Sequence, residues 1–432
     1  MPNILRLKAY RYRVNFTREQ ELLAFEAGHA CRWVYNEAYI YRENMYRLAK
    51  SAGAKGLKGM GYVHLASLLS DWKDAHPWLA RAPHHCLQQA LRDLDGAYAK
   101  FFKGETGHPR PRKKDRDPLR FRFPDPKQIA LDDEYLDLPK FGRVKLRRHG
   151  RAMPGKLKQV TVKQEGGRWS VSILMVDEVA APVRENRTAI GIDAGVKNTL
   201  SLSSGETFNA PVMTEPEARR LRRLERQAAR KMRGSSRHRC ALLRVARFRQ
   251  KITNRLSDWR HQTTTRLAKN HGFIAVEKLA LRNMTRSARG TVEAPGRNVS
   301  AKAGLNRALL EPGLGAVFSQ LEYKQRWLGH VFERVEPAFS SQDCPCCGHR
   351  DANNRPTRDR FRCVKCSLEG PADNIAGINI LHRGLAQNAT AAGWAVTVRR
   401  ELTEAPRPAN LLNVPLNGGS DSGIPVKAAH AA

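Results

Sequence analysis

Acidic side chains are scarce in this sequence. Its 432 residues include 41 aspartates and glutamates against 76 lysines and arginines, a formal net charge of +35, and its isoelectric point is about 10.4. A chain this short of counter-charge repels itself unless a polyanion or well-separated basic surfaces offset the field. Nucleic acid is the expected partner, in preference to lipid. Long apolar runs are missing as well. No stretch approaches the roughly 18 residues of a membrane span and no basic leader runs into an apolar segment, so neither membrane insertion nor secretion is expected. Cysteine is thin outside one segment. Of eight, Cys31, Cys86 and Cys240 stand alone in helical-looking sequence, where each is expected to be a small buried hydrophobe. The other five crowd into residues 344–366, which speaks against a disulfide framework and for a metal site in a reducing compartment.

The length allows about two to four domains. ILRLKAYRYRVNF, from Ile4 to Phe16, alternates apolar and basic side chains with the period of a strand that has one wet face. Thr17 and Gln20 then form a capping box, and Leu23, Ala27, Ala30, Val34 and Ala38 follow at helical spacing. Helical patterning continues to about residue 103, interrupted by the glycines around 53–61. A proline-rich basic linker follows, and then LRFRFP, VKLRRHG, KLKQVTVKQ and RWSVSILMV read as short strands. Strands before and after the helices thus form one β domain with a helical insertion. Later, Thr214 and Glu217 cap a long helical segment that breaks at RGSS and resumes to about residue 269. Between Arg219 and Arg255 it carries fifteen lysines and arginines against the single acid Glu225. Ordinary solvated faces mix both signs, so a surface facing nucleic acid is expected there.

Two motifs carry chemistry. Cys344 and Cys347 are separated by two residues, as are Cys363 and Cys366, with fifteen residues between the pairs. This spacing lets four thiolates converge on zinc, and a site with four thiolates keeps no open position for substrate, so it is structural. Cys346 is an alternative to one member of the first pair, but Gly348 directly after Cys347 favours the 344, 347, 363 and 366 set. The second motif is a trio of acids. Asp193 and Glu277 each close an apolar strand, and Asp373 precedes the apolar run IAGINIL at an expected helix N-terminus. Singly they read equally well as a turn former, a strand-end solubiliser and an N-cap. Together, in so basic a chain, they fit a carboxylate cluster for Mg2+ or Mn2+, the hard cations that oxygen ligands select. Two such ions suit phosphodiester hydrolysis.

IGIDAG, AVEKLAL and the CPCCG…CVKC…ADNIAGINI series resemble the acid-bearing motifs and embedded zinc ribbon of a known family. These are the TnpB proteins of IS200/IS605-type transposons and the related miniature type V CRISPR (Cas12-like) effectors. LLEPGLGAVFSQLEYKQRWLG, VEPAFSSQDC, LKAYRYRVNFTREQ and CRWVYNEA extend the resemblance over roughly 1–385, strongly from 188 onward. The resemblance implies an α+β multidomain protein. Its RNase H-like (RuvC) nuclease domain would carry the zinc ribbon, beside a β-barrel-like wedge domain interrupted by a helical recognition domain. The implied segments are wedge 1–16, recognition domain and linker 17–116, wedge 117–187 and nuclease 188–340 with basic helices 214–269. Ribbon 341–370 and a closing nuclease segment 371–403 complete it, and the tail 404–432 reads as disordered.

Also implied are catalysis by Asp193, Glu277 and Asp373 with Mg2+, a guide RNA and a double-stranded DNA target as partners, one guide per monomer, and a cytoplasmic, nucleoid-associated location in a prokaryote. Base pairing would supply most of the sequence specificity. The activity implied is RNA-guided DNA cleavage beside a short duplex motif. A guided repressor that does not cut and a guide-independent nuclease or transposase are the competing readings. One departure stands out: the family commonly places asparagine two residues after the third aspartate, and here Ile375 stands there.

Overall fold

The computed structural model describes residues 3–53, 60–114, 116–147, 152–180, 182, 188–291 and 293–388. The expected tail and the apolar stretch WAVTV lie outside the described residues. These described residues divide into two compact units, one drawn from 1–180 and 219–250 and the other from 181–218 and 251–388.

In the first unit, β1 (Asn3–Asn15) leads into α1 (Arg18–Ser51), which Thr17 and Gln20 cap reciprocally. Next come α2 (Tyr62–Ala75) and α3 (His84–Phe102). The strands β2 (Arg120–Phe123), β3 (Ala130–Leu131), β4 (Tyr135–Leu138), β5 (Gly142–Arg147), β6 (Lys156–Glu165) and β7 (Arg168–Ala180) follow. They join β1 in one seven-stranded sheet of order β2-β6-β7-β1-β5-β4-β3. β1 lies between β7 and β5, antiparallel to both, with Tyr10 opposite Ile173 and Val14 opposite Leu146. The sheet is open where a barrel-like module was expected: among the described residues its edge strands β2 and β3 are not paired with each other. Phe16, Phe25, Phe121, Phe123, Phe141 and Trp169 interlock at ring separations of 5.5–6.2 Å. Helix α3 is tied to β2 and the linker by Asp93, which accepts from Arg112, Arg120 and Arg122. Burial alone would raise the Asp93 pKa, but the three guanidiniums outweigh it and hold the group below the usual carboxylate range. Cys31 and Cys86 are buried as expected, whereas Cys240 is exposed. Its helix is too rich in charge to bury that face.

The second unit is built on β8 (Ala189–Asp193), β9 (Leu200–Leu202), β10 (Thr207–Phe208), β11 (Phe273–Glu277) and β12 (Val331–Val335). Their order is β10-β9-β8-β11-β12. β10, β9 and β8 are successive antiparallel neighbours, while β11 runs parallel to both β8 and β12. Helices α4 (Glu215–Ala229) and α5 (Ser236–Asn270) precede β11. Residues 219–250 of this hairpin belong to the first unit, and there Arg249 pairs with Glu225. α6 (Leu281–Met284), α7 (Val299–Leu310) and α8 (Leu314–Trp327) follow β11. Strands β13 (Arg360–Arg362) and β14 (Glu369–Pro371) form a small ribbon before α9 (Ala372–Asn388).

Alternation along β11 explains the layering. Ile274 and Val276 face a core with Leu267 of α5 and Val317, Phe318 and Leu321 of α8. Phe273 and Ala275 face Ile380 and Leu381 of α9. The sheet is therefore covered on both faces, as parallel strands require. α9 approaches so closely that a Cβ on Gly191 would sit 2.0 Å from the Gly377 carbonyl oxygen. Among the described residues no helix is long and apolar enough to cross a membrane.

Gly191→Ala should destabilise the second unit by about 2–3 kcal/mol, because a backbone atom blocks the new methyl and α9 has to move. Chemical denaturation of the full chain checks this, and an unchanged midpoint would contradict the packing described.

Candidate carboxylate site and four-cysteine centre

β8 and β11 are neighbouring parallel strands, so their C-terminal ends emerge side by side and carry Asp193 and Glu277. Asp373 lies in the first turn of α9. That helix is locked over β9 by Asn374, whose amide donates to the carbonyls of Leu202 at 2.9 Å and Ser203 at 3.1 Å. The structure thus brings Asp193 within electrostatic reach of both Glu277 and Asp373. Burial, reinforced by the charges of Glu277 and Asp373, pushes the Asp193 carboxyl up to about 7, against the opposing influence of Arg355. Burial also raises Glu277, opposed by a hydrogen bond from Ser340 and by the charge of Arg383. Asn198 donates to Asp373 at 3.4 Å, and the Arg355 guanidinium stands 4.0 Å from the same carboxylate.

The three acids share a field rather than a single tight coordination sphere. Among the described residues, Cys344, Cys347, Cys363 and Cys366 form the one group of potential ligands whose donor atoms all lie within 4.8 Å of one another. The Cys344 and Cys366 sulfurs are 3.5 Å apart and those of Cys347 and Cys363 are 3.6 Å apart. A tetrahedron with Zn–S bonds of about 2.3 Å has edges of about 3.8 Å, so the four sulfurs fit a zinc ion. Cys346 is exposed and outside the group. Each knuckle closes the same way: Gly348 donates to the Cys344 carbonyl at 2.9 Å and Ser367 to the Cys363 carbonyl at 3.0 Å. Both turn residues have positive φ, +70° for Gly348 and +58° for Ser367. Ile375 packs into the ribbon's core with Cys344, Phe361 and Cys363.

Several residues around the acids escaped sequence reasoning. Ser340, Asn198 and Arg355 come from segments far from their partners in the chain, and no periodicity marks them. In the first unit, a cavity of about 400 Å³ is lined by Tyr35, His108, Arg110, Arg112, Arg116 and Asp117 among others. Arg112 stacks 3.8 Å from the Tyr35 ring centroid, and its backbone is clasped on both sides by the Asn36 amide. The cleft is mostly cationic and has an aromatic wall.

Comparison with known proteins gives consistent results. The IS605 OrfB family, described as "Probable transposase", matches residues 170–288, and a Cas12f1-like TNB domain matches residues 315–380. A "Helix-turn-helix domain" associated with the same family matches residues 1–50, although the chain there forms β1 and the uninterrupted helix α1. "Putative RNA-guided DNA endonuclease InsQ" of Escherichia coli (strain K12) is 36% identical over 405 residues, covering 93% of this chain and 96% of that protein. A Streptomyces pristinaespiralis protein described as an RNA-guided DNA endonuclease in the same terms is 29% identical, covering 93% and 94%. A chain from the cryo-EM structure of the Cas12f1-sgRNA-target DNA complex superposes with a TM-score of 0.52 at 12% identity, over 88% of this chain and 98% of that one, a likeness of fold.

Two predictions follow from the geometry. Asp193 binds a proton more tightly folded, near 7, than at its ordinary value of 3.8. Its contribution to stability is therefore complete below about pH 4 and lost as pH rises through about 7. In divalent-free buffer the wild type should lose about 1–3 kcal/mol more stability between pH 5 and 8 than Asp193→Asn does, measured by denaturant titration. For the cysteines, Cys363→Ser should lower zinc content well below one per chain and Cys346→Ser should leave it unchanged, as measured by elemental analysis.

Proposed function

We propose, from the premise that the chain belongs to the IS605 OrfB (TnpB-type) family, that it is an RNA-guided, divalent-metal-dependent DNA endonuclease acting at targets beside a short duplex motif. The observation that carries the reading is the nearness of Asp193 to both Glu277 and Asp373, whose charges, added to burial, hold it up to about 7. Carboxylates gathered at such cost are stabilised by a cation. Their donor set is oxygen only, which fits Mg2+ or Mn2+ rather than zinc. Two such ions, when bound, activate water and neutralise charge on a phosphodiester.

The chain's own residues then have distinct tasks in an RNase H-like (RuvC) domain. Asp193 and Glu277 offer oxygens from adjacent strand ends, and Asp373 offers its own from the first turn of α9. Asn198 restrains Asp373, and Arg355 brings positive charge to the rim where a phosphate would approach. The four-cysteine ribbon holds zinc and orders the segment before α9. The first unit, with its open sheet, its three-helix insertion and the basic cleft, would act as wedge and recognition module, holding the guide scaffold and the guide–target heteroduplex by shape and phosphate. The basic face between Arg219 and Arg255 would line the nucleic-acid path. On this reading the protein works as a monomer with one guide RNA, in the prokaryotic cytoplasm beside the nucleoid.

One experiment tests the proposal. The protein is purified with its bound RNA, the RNA is sequenced, and matched and mismatched DNA are offered with Mg2+. Cleavage of matched DNA only, reduced at least about 1,000-fold by Asp193→Ala, is expected. Guided binding without cleavage would make the protein a repressor instead, and cutting that survives removal of the RNA would make it a guide-independent nuclease.

A further inference from the structure

Glu277 is 8% exposed and sits at the end of a strand buried along its whole length. A carboxylate so placed needs a partner to fix its rotation, since nothing in an apolar strand end does so. The partner is Ser340, 6% exposed, whose hydroxyl donates to Glu277 Oε1 at 2.6 Å. Ser340 belongs to the short connection between β12 and the first zinc-binding cysteine. That connection is itself clamped from α9. The buried Asn379 amide donates to the Ser340 carbonyl at 2.8 Å and to the Asp343 carbonyl at 2.7 Å. One turn on, Arg383 donates to the Glu336 carbonyl at 2.8 Å and to the Asp343 carboxylate at 2.6 Å. From the ribbon's interior, fully buried Asn354 donates to the Gln342 carbonyl at 2.8 Å and accepts from the Val364 amide at 2.9 Å. Residues 336–343 therefore form a strap, held by α9 on one side and by the ribbon on the other, with one hydroxyl aimed at Glu277.

We infer that Ser340 is a positioning residue for the carboxylate site, engaging Glu277 Oε1 and so fixing the rotation of that carboxylate beside Asp193, and that the strap passes the order of the four-cysteine ribbon to that carboxylate. This rests on the reading of the three acids as a cation site. Removing the hydroxyl leaves a buried carboxylate oxygen without its donor, free to rotate or to seek another. Partners that orient a metal ligand in this manner are worth about 10–100-fold in metal affinity. Ser340 touches neither the cation nor the substrate in this account, so its loss should appear first in cation affinity.

The test is a Mn2+ titration of the nucleic-acid-free full chain, followed by the electron paramagnetic resonance of free Mn2+. The site is defined by the binding that wild type has and Asp193→Ala lacks. Ser340→Ala should weaken that binding about tenfold with zinc content unchanged, and Ser340→Thr, which keeps the hydroxyl, should restore it to within about threefold. In guided cleavage, Ser340→Ala should raise the half-saturating Mn2+ concentration by a similar factor and recover most of its rate at saturation. Wild-type Mn2+ affinity in Ser340→Ala overturns the inference. Should that variant lose its zinc, Ser340→Cys, with similar volume and a weaker donor, decides in its place: undiminished affinity there overturns it equally. If Asp193→Ala leaves both Mn2+ binding and cleavage intact, the carboxylate-site reading falls first, whatever the Ser340 variants do.

Discussion

Two strand-end carboxylates, Asp193 and Glu277, are held above the usual carboxylate range in a chain whose net charge is +35. The reason is burial. Asp193 feels its desolvation and the charges of Glu277 and Asp373 at short range. Of the many arginines, Arg355 and Arg383 are the two that oppose the raised carboxyls Asp193 and Glu277. Around Asp193 and Glu277 the local field therefore differs in sign from the molecule's net charge.

Holding these carboxylates in place takes the rest of the second unit. Strands β8 and β11 run parallel, and only parallel neighbours release two C-terminal carboxylates on the same side. Parallel strands must be covered on both faces, so α5 and α8 supply one apolar layer and α9 the other. For Asp373 to come within reach, α9 has to descend onto β8 further than any side chain at 191 permits, and Gly191 beneath Gly377 makes that descent possible. Asn374 then secures the approach by donating to the carbonyls of Leu202, the last residue of β9, and of Ser203 just beyond it. A residue adjacent to the acid thus works as a helix anchor, and its amide is spent on backbone rather than on the Asp373 carboxylate.

Local features were legible from the sequence because their causes are local. The Thr17/Gln20 and Thr214/Glu217 caps, the alternation in β1, the strand ends at Asp193 and Glu277 and the four-cysteine spacing each reside within a few residues, and each appears in the structure. What escaped is long-range. Ser340 meets Glu277 across 63 residues and Arg355 meets Asp373 across 18, and no period in the sequence announces either meeting. Edge pairing is equally nonlocal, so an array of short strands does not disclose whether β2 and β3 close a barrel. Cys240 illustrates a different limit: helical context predicted burial, but a helix crowded with arginine keeps that face in water.

Ile375 shows how a departure from a family pattern can be absorbed. The family pattern that this sequence resembles places asparagine two residues after the third aspartate, and here Ile375 stands at that position. In this chain the polar restraint on Asp373 comes instead from Asn198, in the turn after β8. Position 375 is thereby released for packing, and its side chain, 1% exposed, enters the core of the ribbon beside Cys344, Phe361 and Cys363. Burying an isoleucine contributes about 1.5–3 kcal/mol, and here that energy joins the metal-binding ribbon directly to the first turn of α9. Ile375 thus ties the four-cysteine ribbon to the turn of α9 that also carries Asp373, while the 336–343 strap ties the same ribbon's approach to Glu277 through Ser340.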